Sequence, residues 1–470
     1  MPNSTKMLLY HQVFDYVVQR IHNGEWDAGS KLPSVRILAD SLGVHRLTVL
    51  KAFQLLKEEG YVSVKDKSGY FVTNTNKKRE ESASDLNQPK IHSYVQNSQL
   101  SDIHSETVKY MFSTALIDPK LLPNRYLSQH VKEIFDRYPH LLGTYAPVKG
   151  DAELLHSMST YFYRYYGFDI PEESIMVTTG AQQGIDIVAK VFVQSHDYVM
   201  IDSPTYSAAV DIFLNRGARL LPVDIRHNGF SLETVEMLMR KYKPKLFYMN
   251  PTFHNPTGYS VPVEQRKQLV ELAERYQCLI IEDDSFHEIY FYKRPPQPVF
   301  TYDTAGYVIY LRSFSKYIAP GLRICAVLAH PIIMKWLVKG KALADNGTPL
   351  LNQKAFLYYL TSERVQTHME KLRIALQIRK EMMENELAAQ NFSWDSPEGG
   401  LNLWIKLPQE IDMEHFKQQA LQKSISFVPG KICDPLETNI PYIRLSYSFL
   451  NEKEIKEGMR LFLQVYGALS

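Results

Sequence analysis

Apolar side chains recur at helical spacing in three successive stretches near the amino terminus. Residues 8–21 place their apolar side chains on one face, and Ser34 offers an N-cap for a second helix that Gly43 ends. A third helical pattern runs over residues 46–59, and two short apolar runs then flank the polar turn at residues 65–69. Two short helices joined by a glycine-containing turn and followed by a hairpin predict a winged helix-turn-helix.

From residue 175 onwards, short apolar runs alternate with helical patterns. Seven runs have the length and composition of buried strands: 175–177, 198–201, 220–223, 246–249, 279–281, 308–311 and 325–328. Strands that alternate with helices predict an α/β domain, in which ligands sit at the carboxyl ends of the strands. A long helical stretch from about 353 to 391 then leads to a small C-terminal domain at about 392–470.

Between these two regions, the chain has few spaced apolar positions. Residues 74–105 include a charge run of both signs at 76–85, which favours a solvated linker over a nucleic-acid-binding arm. The pattern therefore divides the chain into a winged-helix domain at 1–75, a linker at 76–105 and a large domain at 106–470.

Composition limits the remaining possibilities. The chain has 470 residues, of which 45% are hydrophobic, so it can form two or more packed domains. It has no apolar run near the roughly 18 residues of a membrane span and no signal-peptide apolar block, which predicts a cytoplasmic protein without membrane contact. Its three cysteines lie far apart in apolar runs and are expected to be buried thiols rather than metal ligands. Because the formal net charge is only +2, any DNA binding must come from a local motif.

Candidate chemistry concentrates in the turn at residues 313–323, between two apolar runs. Lys316 has little water on either side there, which lowers the pKa of its amine and favours the neutral, nucleophilic form that a Schiff-base lysine needs. Ser313, Ser315 and Arg323 are donors suited to a phosphate ester beside that amine. Pyridoxal 5'-phosphate carries both a carbonyl and a phosphate.

Two other interpretations of this turn are open. Lys316 could be a surface lysine in a serine-rich turn. Ser313 and Lys316 also have the spacing of a serine nucleophile with a lysine base, but no S-D-N or K-T-G partner follows in the sequence.

Further candidate groups directly follow the predicted strands. After the first strand, Gly180-Ala181-Gln182 opens a helix whose free N–H groups and positive end suit a phosphate. Tyr206, Asn255 and Asp283 follow the second, fourth and fifth strands. Because the carboxyl ends of parallel strands meet at one edge, these groups are expected to converge.

The turn matches S-x-S-K-x-x-x-P-G-x-R, and here the chain resembles the fold-type I pyridoxal phosphate enzymes, the aspartate aminotransferase superfamily. The resemblance implies a seven-stranded, mostly parallel sheet with a small C-terminal α+β domain, and it makes Lys316 the lysine that holds the cofactor. It implies that Asn255 hydrogen-bonds the phenolic oxygen of the cofactor and that Tyr206 stacks on its ring, although core packing is an alternative for the tyrosine. Asp283 would pair with the pyridine nitrogen and make the ring an electron sink.

Two more residues carry roles that this resemblance implies, and one expected group is missing. Tyr145 matches a tyrosine that reaches the cofactor phosphate of the partner subunit, which implies a homodimer; the alternative is a turn aromatic. Arg444 matches an arginine that binds a substrate carboxylate; the alternative is a structural salt bridge. Ser285-Phe286 stands where family members place a tyrosine, so the phenol that tunes the covalent link is absent.

The amino-terminal stretch resembles the GntR winged helix over nearly all of residues 10–73. The resemblance implies that Arg36 contacts phosphate and that residues at the start of the third helix face the major groove of DNA. These are His45, Arg46 and Thr48, while Ser68 and Gly69 of the wing would approach the backbone. His45 replaces a serine common in the family. A small protein-interaction domain is the alternative.

The two resemblances together match the MocR/GabR subfamily of GntR regulators. They imply a pyridoxal-phosphate-dependent transcriptional regulator that binds double-stranded operator DNA and senses an amino acid or the cofactor itself. An active aminotransferase with an accessory DNA-binding domain is the alternative, and whether the site turns over is left open. A scaffold that has lost its cofactor is disfavoured by the intact set of cofactor-binding side chains. The sequence does not indicate the operator, the effector or the sign of regulation.

Overall fold

The computed structural model describes residues 9–22, 25–26, 29–58, 61–65, 69–73, 108–388, 392–407, 411–436 and 440–469. The chain divides into two compact units, an amino-terminal unit at residues 1–92 and a carboxyl-terminal unit at 93–470. The predicted linker at 76–105 lies outside the described residues.

The amino-terminal unit consists of three helices and a hairpin, as the sequence predicts. Its elements are α1 (Leu9–His22), α2 (Val35–Leu42), α3 (Arg46–Glu58), β1 (Val62–Lys65) and β2 (Gly69–Val72). Ser34 caps α2 by accepting a hydrogen bond from the Ile37 amide, and Gly43 ends that helix in the left-handed region at φ 63°. Val17 and Phe53 are fully buried in one core that joins all three helices to the hairpin.

The carboxyl-terminal unit is built on a sheet of eight strands. They are β4 (Ile175–Thr179), β5 (Tyr198–Ser203), β6 (Arg219–Arg226), β7 (Gly229–Phe230), β8 (Leu246–Met249), β9 (Leu279–Asp284), β10 (Val308–Ser313) and β11 (Ile324–Leu328). Their order is β4-β11-β10-β9-β8-β5-β6-β7. The central strands β6, β5, β8, β9 and β10 are parallel, whereas β11 is antiparallel to both of its neighbours.

All seven predicted strands are present, and the predicted total of seven is wrong by one. The additional strand, β7, pairs antiparallel with β6 through Ile225 and Phe230. Gly229 makes the tight return possible because it adopts φ +92°. A strand of two residues is too short to show alternating apolar and polar positions, so the sequence pattern does not predict β7.

Helices cover the sheet. They are α4 (Asn124–Arg137), α5 (Ala152–Tyr166), α6 (Ala181–Phe192), α7 (Ser207–Asn215), α8 (Leu232–Tyr242), α9 (Val263–Tyr276), α10 (Pro331–Ala342), α11 (Leu350–Leu360) and α12 (Arg364–Leu387). Along β5, Ile201 and Met200 enter different hydrophobic clusters, which shows that both faces of the sheet are buried.

The helical stretch predicted from about 353 to 391 consists of two helices, α11 and α12. The chain leaves the helical path after α11, where the Thr361 hydroxyl donates to the Leu357 carbonyl and the Ser362 hydroxyl accepts from the Arg364 amide. Side chains of this kind compete with the backbone for hydrogen bonds, and here they end one helix and begin the next.

The small C-terminal domain is α+β. Its elements are β12 (Ser393–Trp394), β13 (Asn402–Lys406), α13 (Met413–Gln422), β14 (Ile425–Ser426), β15 (Val428–Pro429), β16 (Tyr442–Ser446) and α14 (Glu452–Gly467). Four strands form a sheet in the order β12-β13-β16-β15, and β14 pairs in parallel with β3 (Tyr110–Met111) from the start of the unit. Within the described part of the chain, every helix is too short or too polar to cross a bilayer.

Candidate functional site

Most of the predicted cofactor-binding side chains line one cavity at the carboxyl edge of the parallel strands. The predicted residues in its wall are Ala181, Gln182, Tyr206, Asn255, Asp283, Ser313, Ser315, Lys316 and Arg323. Gly180 directly precedes this wall and contacts Arg323, and Arg444 contacts Asn255. Tyr145 is outside the wall and is 83% exposed. The sheet therefore brings together side chains that are far apart in the sequence: among the wall residues, Ala181 and Arg323 are separated by 142 positions.

Lys316 lies in the turn that joins β10 to β11. The last paired residues of the two strands are Ser313 and Cys325, so neighbouring strands fix both ends of the turn. The Lys316 Nζ donates a hydrogen bond of 3.1 Å to the Ala115 carbonyl oxygen. Burial, with a smaller contribution from the positive charges of Arg444 and Arg323, lowers the pKa of its amine to about 8, against the opposing effect of Asp283.

Asp283 ends β9 with a carboxylate that is 4% exposed. Its Oδ2 accepts a hydrogen bond of 2.9 Å from the Tyr248 hydroxyl, and its Oδ1 accepts one of 3.1 Å from the Ser285 hydroxyl. Burial raises the pKa of Asp283 to about 6, and these two hydrogen bonds act in the opposite direction. Ser285 thus donates to the carboxylate directly, near where the sequence lacks the expected tyrosine.

A cationic, donor-rich pocket forms where β4 meets the first turn of α6. Gly180 adopts φ +85°, and a Cβ at this position would lie 2.4 Å from the Arg323 Nη2. Arg323 itself lies in the left-handed region at φ 55° and donates from Nη2 to the Thr179 carbonyl oxygen at 3.4 Å. Ser313 and Ser315 are buried nearby in the chain, and the Ser315 amide donates to the Ser313 hydroxyl. Only glycine lets the guanidinium approach the helix end this closely.

Arg444 on β16 is held by neutral oxygens alone. Its Nη1 donates to the Asn255 Oδ1 at 3.2 Å, and its Nη2 donates to the Ser113 carbonyl oxygen at 2.6 Å. Its Nε is buried without a hydrogen-bond partner among the described residues, and burial lowers the pKa of the guanidinium. Within the same residues Arg444 forms no salt bridge, so the structural pairing considered from the sequence is not found there.

Sequence reasoning missed several residues that support the site. Tyr248 donates to the Asp283 carboxylate, and Asn250 Nδ2 donates to the Asp283 carbonyl oxygen at 2.7 Å. Asp202 is fully buried and accepts from the Asn250 amide at 2.8 Å, and it lies 3.2 Å from the His254 Nε2. Strand pairing was the available signal, because Tyr248 is opposite Ile281 in the parallel pair β8 and β9.

In the amino-terminal unit, most of the predicted DNA-contacting side chains are exposed. Arg36 begins the exposed face of α2, and His45 and Arg46 are exposed at the start of α3, whereas Thr48 is half-buried. The His45 Nδ1 accepts a hydrogen bond from the Leu47 amide and so caps α3. Gly69 adopts φ +110° at the start of β2. The prediction for Ser68 lies outside the described residues.

Comparison with known proteins agrees with both parts of this geometry. Residues 121–462 match the family model for aminotransferase class I and II, and residues 9–72 match that for bacterial regulatory proteins of the gntR family. The chain belongs to the class I and II aminotransferase family. Its amino-terminal unit is a GntR-type helix-turn-helix domain, so the predicted two-domain architecture is confirmed.

Relatives of two kinds resemble this aminotransferase-family chain. An uncharacterised HTH-type transcriptional regulator of Bacillus subtilis, YdfD, is 29% identical over 97% of this chain and 95% of its own length. The 2-aminoadipate transaminase of Thermus thermophilus is 31% identical over 74% of this chain and 88% of its own. The solved structure of LysN, an α-aminoadipate aminotransferase from Thermus thermophilus complexed with N-(5'-phosphopyridoxyl)-L-leucine, is 28% identical, with a TM-score of 0.75 over 80% of this chain and 96% of that one.

The donor set of this family member fits pyridoxal phosphate. The close approach of Arg323 to Gly180, with buried serine hydroxyls and a helix amino terminus, suits a dianionic phosphate. A carboxylate at Asp283 and an amine with a lowered pKa at Lys316 suit the ring nitrogen and the carbonyl.

A pH dependence follows from the lowered pKa of Lys316. In the folded protein, the pKa of the Lys316 amine lies below the usual value for lysine, so the neutral amine forms at a lower pH than usual. Its fraction rises from about 1% at pH 6 to about 50% at pH 8. We expect the rate at which cofactor-free protein attaches pyridoxal phosphate to rise about tenfold per unit below pH 8 and to level off above it. Stopped-flow absorbance measures this rate.

The control for this profile is Arg444→Gln, which removes one of the cations that lower the pKa of Lys316. We expect that variant to shift the midpoint to higher pH. A rate that continues to rise up to the ordinary lysine pKa of about 10.4 in the unsubstituted protein would contradict the prediction.

Proposed function

We propose that the protein is a pyridoxal-phosphate-dependent transcriptional regulator that binds double-stranded operator DNA and responds to an amino acid. One observation supports this most directly: a GntR-type helix-turn-helix domain shares one chain with a cavity that is lined by most of the predicted cofactor-binding side chains. Both HTH-type regulators and aminotransferases are similar to this chain, and the regulators match it along nearly its whole length. The DNA-binding function also leads us to propose a cytoplasmic location.

We assign the cofactor contacts as follows. Arg323, with the hydroxyls of Ser313 and Ser315 and the amides of Ala181 and Gln182, would bind the phosphate. The Gly180 amide itself donates to the Thr178 carbonyl oxygen at 2.9 Å, and the missing side chain of Gly180 leaves room for the guanidinium. Asp283 would accept a hydrogen bond from the protonated ring nitrogen, and the hydroxyls of Tyr248 and Ser285 orient its carboxylate. When bound, pyridoxal phosphate supplies a carbonyl for amines and a ring that withdraws electrons.

Three more residues of the cavity orient the cofactor and the effector. Lys316 forms the covalent bond to the cofactor as a neutral amine, which its lowered pKa favours. Tyr206 stacks on the ring, and Asn255 binds the phenolic oxygen through its side-chain amide. The Asn255 Oδ1 accepts from Arg444, which places the cofactor contact beside the effector contact.

Arg444 defines the class of effector. A buried guanidinium with neutral partners and an unpartnered Nε suits a carboxylate, and a two-point contact gives orientation as well as affinity. The amine with which the effector reacts belongs beside Lys316. An α-amino acid carries both groups, so we assign the effector to that class.

A homodimer completes the proposal. Tyr145 is a large side chain that is 83% exposed. The Tyr145 side chain would become buried if it reached the phosphate site of a partner subunit. The dimer presents two helix-turn-helix domains and is expected to prefer operators with two half-sites. We place the domain boundaries at 1–75, 76–105 and 106–470, with a subdomain from about 392.

Transaminase activity is the second candidate function. It is supported by Lys316 and Asp283 in one cavity, by the contact of Arg444 with Asn255 of that cavity, and by a transaminase that is 31% identical. Ser285 replaces the usual tyrosine in this site. We therefore expect half-transamination in a single turnover to be slow. Turnover with any pair of amino donor and keto acid at about 1 per second or faster, without an effect of the donor on DNA binding, would favour the enzyme instead.

The decisive experiment measures operator affinity with and without each of the proteinogenic amino acids in the Arg444→Ala variant. We expect the unsubstituted holoprotein to change its operator affinity by about 5- to 150-fold with the effector. We expect Arg444→Ala to lose that response, so that its operator affinity is the same with and without each amino acid. Fluorescence anisotropy of a labelled operator gives both values.

Arg460→Ala is the matched control, because Arg460 is exposed on α14. It should keep the full response. An effector response that survives in Arg444→Ala would show that the carboxylate is bound elsewhere and would contradict the proposal.

A further inference from the structure

Residues 113–116, at the start of the carboxyl-terminal unit, form an irregular segment whose two ends are fixed to the small domain. The Ser113 hydroxyl is 2.8 Å from the Ser426 hydroxyl, and the Ser448 hydroxyl donates to the Leu116 carbonyl oxygen at 2.7 Å. Phe112 and Ile117 are buried on either side of the segment. We call residues 113–116 the strap.

The strap is also fixed by the two cations of the ligand site. The Arg444 Nη2 donates to the Ser113 carbonyl oxygen at 2.6 Å, and the Lys316 Nζ donates to the Ala115 carbonyl oxygen at 3.1 Å. Thr114, between these carbonyls, is only half-buried. Two carbonyl oxygens of one short segment thus lie where the proposed ligands would bind.

Ligands compete with the strap for the same nitrogen atoms. A carboxylate that contacts two N–H groups of a guanidinium uses Nη2 in either geometry, end-on with Nη1 or side-on with Nε, and it places a second, negatively charged acceptor beside the Ser113 oxygen. At Lys316, the neutral amine nitrogen would bond to the cofactor carbonyl carbon, and the carbonyl oxygen would leave as water with both amine hydrogens. The hydrogens that the amine could donate to the Ala115 oxygen are therefore lost.

We propose that the strap is a ligand-released contact, held on the site by Lys316 and Arg444 in the cofactor-free protein and freed when cofactor and amino acid occupy these two side chains. This inference rests on the proposed function and adds the step by which occupancy changes the protein. In sequence, the strap lies near the start of the carboxyl-terminal unit at residue 93, which follows the amino-terminal unit at 1–92. The ligand would therefore act on a segment that is close in sequence to the DNA-binding domain.

A spin label at Thr114→Cys tests the strap directly. The three native cysteines are buried, so the label reacts selectively with the introduced thiol. The probes are pyridoxal phosphate, which reacts at Lys316, and N-(5'-phosphopyridoxyl)-L-leucine, which adds a carboxylate. We expect each to raise the mobile fraction of the label about twofold, because each removes a hydrogen bond that Lys316 or Arg444 makes to the strap.

Substitutions at the two cationic residues test the same contacts in the absence of ligand. Lys316→Ala and Arg444→Gln should each give a mobile label in the cofactor-free protein, and N-(5'-phosphopyridoxyl)-L-leucine should add little in Arg444→Gln. A label at Lys335→Cys, on the exposed face of α10, is the control and should respond to neither ligand nor substitution. Circular dichroism establishes that each variant is folded.

The outcomes separate the strap from the regulator. A strap label that stays immobile with both probes in the unsubstituted background, or that becomes less mobile, overturns the inference, whatever the operator affinity does. Increased mobility supports it even if operator affinity, measured on the same samples, does not change; that second result would count against the regulator alone.

Discussion

Lys316→Ala is expected to abolish covalent attachment of pyridoxal phosphate. Lys316 is the lysine in the wall of the cavity, and its pKa is lowered to about 8, so it supplies the reactive amine. In the unsubstituted protein, borohydride reduction followed by peptide mass mapping should place the added mass on the peptide that contains residue 316. In the variant that mass should be absent, and the visible absorbance of the bound cofactor should be lost.

The control is Lys335→Ala, which removes an exposed lysine on α10 and should leave attachment complete. Noncovalent affinity for pyridoxamine 5'-phosphate gives a second readout in Lys316→Ala, since the phosphate donors remain in place. Added mass on a different lysine of the unsubstituted protein would refute the assignment of Lys316.

The double variant Arg36→Ala and Arg46→Ala is expected to lose operator binding by more than tenfold. Both guanidinium groups are exposed, at the start of α2 and α3. Each lost contact is expected to cost about 1–3 kcal/mol if it reads a base, and a lost phosphate contact reduces the salt dependence by about one counterion. Anisotropy measured at several salt concentrations gives both quantities.

Arg20→Ala is the matched control, because Arg20 is an arginine of the same domain that already pairs with Glu25 at 2.6 Å. It should leave the affinity and the salt slope unchanged. Operator binding that is the same in the double variant as in the unsubstituted chain would contradict the assignment of this surface to DNA.

The sequence was sufficient where one local signal determines one element. Apolar runs located all seven long strands, and Ser34 with Gly43 marked both ends of α2. It was insufficient where a contact between distant side chains decides the outcome. The break after α11 depends on the hydroxyls of Thr361 and Ser362, which are individually compatible with a helix.

The candidate site likewise has some features that the sequence predicted and others that it did not. The sequence predicted the groups around Lys316 and Asp283 because their positions after strands bring them to one edge. It did not predict that the partners of Arg444 are the Asn255 side chain and the Ser113 carbonyl, because those contacts join three separate parts of the unit. Charge alone suggested a salt bridge, but the described residues around this arginine supply no carboxylate.

The antiparallel course of β11 has a consequence for how far this chain tolerates insertions. Lys316 and Arg323 lie in one turn whose ends are fixed by the pairing of Ser313 with Cys325. A residue added between 313 and 323 would therefore displace the covalent attachment point and the phosphate contact together. An insertion after β5 would move Tyr206, and one after β8 would move Asn250 and Asn255, but neither would change the spacing from Lys316 to Arg323. Length variation in engineered or natural relatives that retain the cofactor is thus expected in the other loops, with the spacing from lysine to arginine unchanged.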